Sequence, residues 1–151
     1  MEAGAPVPIV LDCDPGHDDA MAILLACGLP DAELVLVTTV AGNVPVSLTT
    51  RNGSASTPLD AVSAMADALH ASAAAARRDG TPLPVLVATG PLTNVALLLR
   101  CRPDVVTRGS LTRVVIMGGS TGLGNTSPAA EFNIEVDPHA AAVVFEAARP
   151  G

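Results

Sequence analysis

The chain has 151 residues, 49% hydrophobic and 1% aromatic, with 15 acidic side chains against 8 basic ones and a formal net charge of -7. Such a length suits one domain burying about 68–70% of its unfolded surface, around an aliphatic, alanine-rich core because Trp and Tyr are absent. The acidic balance argues against a nucleic-acid or anionic-membrane surface, and 3 cysteines without a CxxC pair argue against a disulfide framework or zinc site.

The N-terminal six residues show no basic region ahead of an apolar stretch, so no signal peptide is read there. The longest apolar run, Ala20–Leu29, is too short to span a bilayer. A soluble cytoplasmic protein is the expectation.

The first apolar run, Val7–Leu11, reads as a strand. Asp12, Asp14, Asp18 and Asp19 follow within eight residues, around Pro15-Gly16, where the strand hands over to a helix at Asp18–Cys27. Side chains alternate along a strand, so Asp12 and Asp14 are expected to point one way and Leu11 and Cys13 into the packed side. Asp18 and Asp19 could serve simply as helix caps, since carboxylates favour a helix N-terminus. Capping does not account for Asp12 and Asp14. Two like charges about 4 Å apart repel by roughly 4 kcal/mol at an effective dielectric near 20. Such a cluster must take up protons, spread into water or bind a cation.

Further strands are expected at Leu34–Val40, Leu83–Ala88 and Arg113–Met117, each an unbroken apolar run suited to cover on both faces. Helices are expected at Leu59–Arg78, Leu92–Arg100 and Asp137–Ala148. This alternation defines an α/β fold: a mostly parallel sheet with helices on both faces and ligands outside the carboxyl ends of the strands. Gly53–Thr57 reads as a polar joint, and no closing strand follows the last helix.

Each later strand ends in polar residues. Asn43, after Thr38–Gly42, offers a neutral oxygen suited to calcium, although an Asn after Gly also suits a plain turn. In Ala88–Asn94, Gly90-Pro91 is read as starting a helix. The Thr89 carbonyl is expected to leave the sheet end free for an ion, with Thr93 and Asn94 capping or structural. The glycine-rich Gly118–Gly124 fits neither GxGxxG nor GxxxxGK[ST]. Asn125, Glu131 and Asn133 beyond it suit hydroxyl groups, or simply a solvated loop. His17, His70 and His139 are read as incidental.

Asp12–Ala20, Thr38–Asn43, Thr89–Asn94, Met117–Gly119 and Glu131–Pro138 occur in the order of the inosine–uridine-type nucleoside hydrolases, a family this chain resembles along nearly its whole length. The resemblance implies a Rossmann-like nucleoside hydrolase fold, here incomplete. One domain over 1–151 is expected, truncated at its C-terminus and shortened around 53–57. The implied reaction hydrolyses the N-glycosidic bond of ribonucleosides to ribose and free base, using a calcium-bound water. By matching position, Asp14, Asp19 and the Thr89 carbonyl would ligate Ca2+, and Asp14 would also be the base. Asn43 would face the water and the sugar. Asp18, Asn125, Glu131 and Asn133 would grip the ribose hydroxyls, and Asp12 would buttress Asp14. The family's leaving-group His has no match here.

An alternative is a non-catalytic calcium- or ribose-binding fragment of that family. A phosphatase built on Asp-x-Asp is a third reading, weakened by the lack of a Lys to hold phosphate. The partner expected is a ribonucleoside, with no nucleic acid and no membrane, and the unfinished sheet edge favours a homo-oligomer.

Overall fold

The computed structural model describes residues 4–45, 47 and 61–148. The expected joint at 53–57 lies outside them.

Among the described residues four strands form one sheet: β1 Val7–Cys13, β2 Ala32–Thr39, β3 Val85–Ala88 and β4 Val114–Ile116. They run parallel in the order β2-β1-β3-β4. Helix α1, His17–Gly28, joins β1 to β2, and α2, Ala61–Asp79, precedes β3. Helices α3, Thr93–Cys101, and α4, Asp104–Thr107, separate β3 from β4, while α5, Phe132–Val136, and α6, Pro138–Ala147, close the described chain.

The expected α/β architecture is present, with differences at the element ends. β3 starts at Val85, not Leu83, because Pro84 has no N–H to give the ladder. Pro8 is tolerated in central β1 because pairing with β3 begins only at Ile9. β1 pairs with β2 out of step between Ile9 and Val10, leaving Val35 as the extra residue. Helix α3 begins at Thr93 with Leu92 as its N-cap, so Pro91 precedes the helix instead of opening it. The short α4 and α5 had no counterpart among the expected helices.

The main core joins Val10, Leu86 and Ala88 of the sheet to Met65 and Leu69 of α2, Val95 and Leu98 of α3 and Val144 of α6. The crossovers β1→β2 and β2→β3 run in opposite directions, so their right-handed sense places α1 and α2 on opposite faces. Helix α1 packs thinly. Its buried residue is Asp19, while Met21, Leu24 and Leu25 stand exposed.

Chain order reverses between β1 and β3: the chain leaves β1 for β2 on one side and returns to β3 on the other. A crevice opens at the carboxyl ends of strands at such a reversal. Asp12–Asp14 end β1 there, and Thr89-Gly90 end β3.

Candidate active site at the carboxyl edge of the sheet

Both faces of β1 are covered. Leu11, Asp12, Cys13 and Asp14 are all at most 2% exposed, so the expected division into a polar and a packed face does not hold. A central parallel strand has no solvent face to give. Asp12 therefore enters the interior, and each of its contacts is specific. Its Oδ1 accepts from Thr38 Oγ1 at 2.6 Å and from Asn94 Nδ2 at 3.0 Å, while Oδ2 is buried with no hydrogen-bond partner among the described residues. Thr38 is its register partner on β2. Burial pushes the Asp12 carboxyl up to about 6, the two donors hold it down, and nearby Asp14 adds a smaller upward push.

Asp14 lies just past the strand. Its Oδ2 accepts from the Asn43 backbone N–H at 2.7 Å, and its own carbonyl accepts from Asn43 Nδ2 at 3.1 Å. Glycines surround it closely. A side chain at Gly42 would strike the Asp14 carboxylate, and a Cβ on Gly90 would lie 2.7 Å from Oδ1 and 2.9 Å from the Asp14 backbone nitrogen. Burial raises the Asp14 pKa, opposed by the Asn43 backbone N–H and assisted by the charges of Asp19 and Asp18.

Asp19, in the first turn of α1, accepts from Gly16 N–H at 2.9 Å and from Thr89 Oγ1 at 2.5 Å. It caps its own helix and ties it to the end of β3. Thr89 N–H in turn donates to the Asp12 carbonyl at 2.9 Å. The expectation that the Thr89 carbonyl is free needs correction. It accepts from Asn133 Nδ2 at 2.9 Å, which leaves one of its two lone pairs. The same Asn133 nitrogen donates to the Met117 carbonyl at 3.0 Å, so one amide joins the ends of β3 and β4. Cys13, pushed up to about 12 by burial and then by Asp19, Asp12 and Asp14, is an inert thiol.

Hydrogen bonds thus link Asp12, Asp19, Thr89 and Asn133, while Asp14 and Asn43 form a second bonded pair that meets them through the close packing of Gly90 on Asp14. Asp18 stands exposed at the rim. Glu131 caps α5, its Oε1 accepting from Asn133 N–H at 3.1 Å and its Oε2 from Gly119 N–H at 2.9 Å and Ile134 N–H at 3.2 Å. Burial works to raise its pKa, but those backbone donors and Asn125 outweigh it and hold the carboxyl low. Asn125 Oδ1 accepts from Phe132 N–H at 2.8 Å. The expected sugar-binding residues therefore also shape the loop that carries them. Thr38 was not picked out as a site residue. Its signal is the Asp12–Thr38 register, which requires knowing how the strands pair.

All candidate ligands are hard oxygens, and Asp12 Oδ2 is a buried acceptor that no donor meets among the described residues. These residues fit Ca2+ as a partial set: two carboxylates and a carbonyl out of the six to eight oxygens calcium takes. Among the described residues, no group of three or more His, Cys, Asp or Glu is placed to hold a metal. None of the described helices is long and apolar enough to cross a membrane.

A parallel α/β sheet with a buried, oxygen-rich acidic cluster at its switch point defines the class. The family described as inosine-uridine preferring nucleoside hydrolase matches residues 9–57 and 53–151, and the chain belongs to that family. The pyrimidine-specific ribonucleoside hydrolase RihA of Salmonella arizonae is 40% identical over 186 aligned positions, covering 95% of this chain and 58% of RihA. Among solved structures, an inosine-guanosine nucleoside hydrolase superposes with TM-score 0.77 at 28% identity, over 92% of this chain and 58% of that one. A purine-preferring ribonucleoside hydrolase from Gardnerella vaginalis gives TM-score 0.77 at 26% identity, over 95% and 58%. The chain spans little more than half the length of these relatives.

Proposed function

We propose that this chain carries the calcium- and ribose-binding part of an enzyme that hydrolyses the N-glycosidic bond of ribonucleosides. The observation that carries this reading is the gathering of Asp14, Asp19 and Thr89 at the carboxyl edge of the sheet, where Thr89 bonds both Asp19 and the Asp12 carbonyl and Gly90 packs on Asp14. Relatives named for pyrimidine and for purine nucleosides both match this chain, so what they share is the sugar and its bond to the base.

Calcium, when bound by Asp14, Asp19 and the Thr89 carbonyl, supplies positive charge that makes water more acidic. Asp14, held at Oδ2 by Asn43, takes the proton of the attacking water at Oδ1. Carboxylates around the pocket favour the positive charge that develops on the sugar as the base leaves. Asp18, Asn125, Glu131 and Asn133 hold the ribose hydroxyls, so attack occurs in a fixed orientation.

Titration with inosine, uridine and their 2′-deoxy counterparts in millimolar calcium tests the reading. Ribonucleosides should bind more tightly than deoxyribonucleosides, and chelation should abolish binding. Glu131→Ala should weaken ribonucleoside binding roughly ten- to a hundredfold, as expected for one lost charged hydrogen bond. Equal binding of both sugars before and after the substitution would remove these residues from the site. Release of phosphate from a sugar phosphate, with no release of ribose from nucleosides, would favour the phosphatase reading.

A further inference from the structure

We propose that Asn94 is a positioning residue of the acidic pocket, setting the Asp12 carboxylate from the first turn of α3. The inference rests on the calcium reading above and extends it to a residue outside the expected ligand and sugar contacts.

Asparagine is a weak helix former, because its side chain competes for nearby backbone groups, so its place in a first helical turn needs a reason. Here the amide nitrogen bonds across two elements. Nδ2 donates to Asp12 Oδ1 at 3.0 Å and to the Thr39 carbonyl at 3.0 Å. One group thereby fastens α3 to the ends of β1 and β2. Thr38 Oγ1 reaches the same Asp12 oxygen at 2.6 Å from the neighbouring strand.

The consequence is asymmetric. Two donors engage Oδ1, and Oδ2 is left buried with none among the described residues. Buried acceptors are almost always paired, so a bare oxygen held in a fixed orientation is disposed toward a donor or cation that arrives later. Asp12 also holds the metal edge through its backbone, since its carbonyl accepts from the N–H of Thr89. Moving the Asp12 side chain would thus disturb the segment that carries both Asp14 and the Thr89 carbonyl.

The adjacent Thr93 provides a contrast on the same turn. Its hydroxyl donates to Asp137 Oδ2 at 2.6 Å, at the cap of α6 and away from the pocket. Losing it should cost stability without touching the pocket.

Isothermal titration of the purified chain with calcium chloride tests the proposal, beside thermal unfolding in chelator. Asn94→Leu keeps the side-chain size and removes both donors. It should weaken calcium binding at least tenfold, whereas Thr93→Val should lower the unfolding midpoint and leave calcium affinity unchanged. If Asn94→Leu does not fold, Asn94→Ala takes its place in the same titration. Wild-type affinity in the folded Asn94 variant overturns the proposal. So does an equal loss in the Asn94 and Thr93 variants, which would show only general loosening. A wild-type chain that does not bind calcium removes the calcium reading itself, and the role of Asn94 with it.

Discussion

Asp14 depends on what its neighbours lack. The backbone passes it so closely at Gly42 and Gly90 that no other side chain fits, and the Gly90 contact involves main chain as well as carboxylate. Gly90→Ala should therefore push β1 and the β3 end apart. Overpacking of this kind costs about 1–3 kcal/mol, measurable in denaturant unfolding, and calcium affinity should fall with it. An unchanged midpoint and affinity would show that the pocket relaxes around the added methyl. Gly80→Ala provides a comparison. Nothing lies within 4 Å of the Cβ site there, and only the positive φ of 68° opposes the change.

At the scale of elements, α2 is fastened to α4 and the loop after it. His70 bonds Asp104 Oδ2 at 2.7 Å through Nε2 and Ser110 Oγ at 2.9 Å through Nδ1, while Arg102 Nε donates to Asp104 Oδ1 at 3.2 Å. The Arg102 guanidinium, then His70, hold the Asp104 carboxyl down at about 2 from its usual 3.8. A carboxyl depressed on folding stabilises the fold above its unfolded value and loses that contribution as pH falls toward the folded one. Wild-type stability should therefore drop between about pH 4 and pH 2 in part through Asp104, and Asp104→Asn should flatten that limb. An identical acid limb in the variant would contradict this. His70→Ala should destabilise by about 1–3 kcal/mol, because buried Ser110 loses its partner.

These elements also show why some of the chain was legible in sequence and some was not. The strands were readable because unbroken runs such as Val7–Leu11 suit a doubly covered sheet. The gathering of acids at the end of β1 was readable because helix capping accounts for Asp18 and Asp19 but not for Asp12 and Asp14. Helix α4 was missed because Val105, Val106 and Thr107 favour strands, and one turn carries no periodicity. Helix α5 was missed because Glu131 was read as a sugar ligand, although an acceptor before a helical turn is also its cap. His70 was dismissed because Asp104 and Ser110 lie more than 30 residues away, so only packing reveals the contact.

At the scale of the whole molecule, the chain covers 58% of RihA and supplies only two carboxylates and one carbonyl of the oxygens proposed to hold calcium. Ribose release from inosine or uridine by these 151 residues should therefore be far below that of a full-length relative. Turnover equal to a full-length enzyme, lost in Asp14→Ala, would show that this part alone suffices. The central claim is that the acidic pocket is a calcium site, and thermal unfolding with added metal tests it most directly. Calcium at about a hundred times its dissociation constant should add roughly 2.7 kcal/mol, raising the midpoint by on the order of 5 °C or more. Asp14→Asn combined with Asp19→Asn should abolish the rise. Stabilisation by zinc well beyond that by calcium, or a calcium rise that survives both substitutions, would contradict the account.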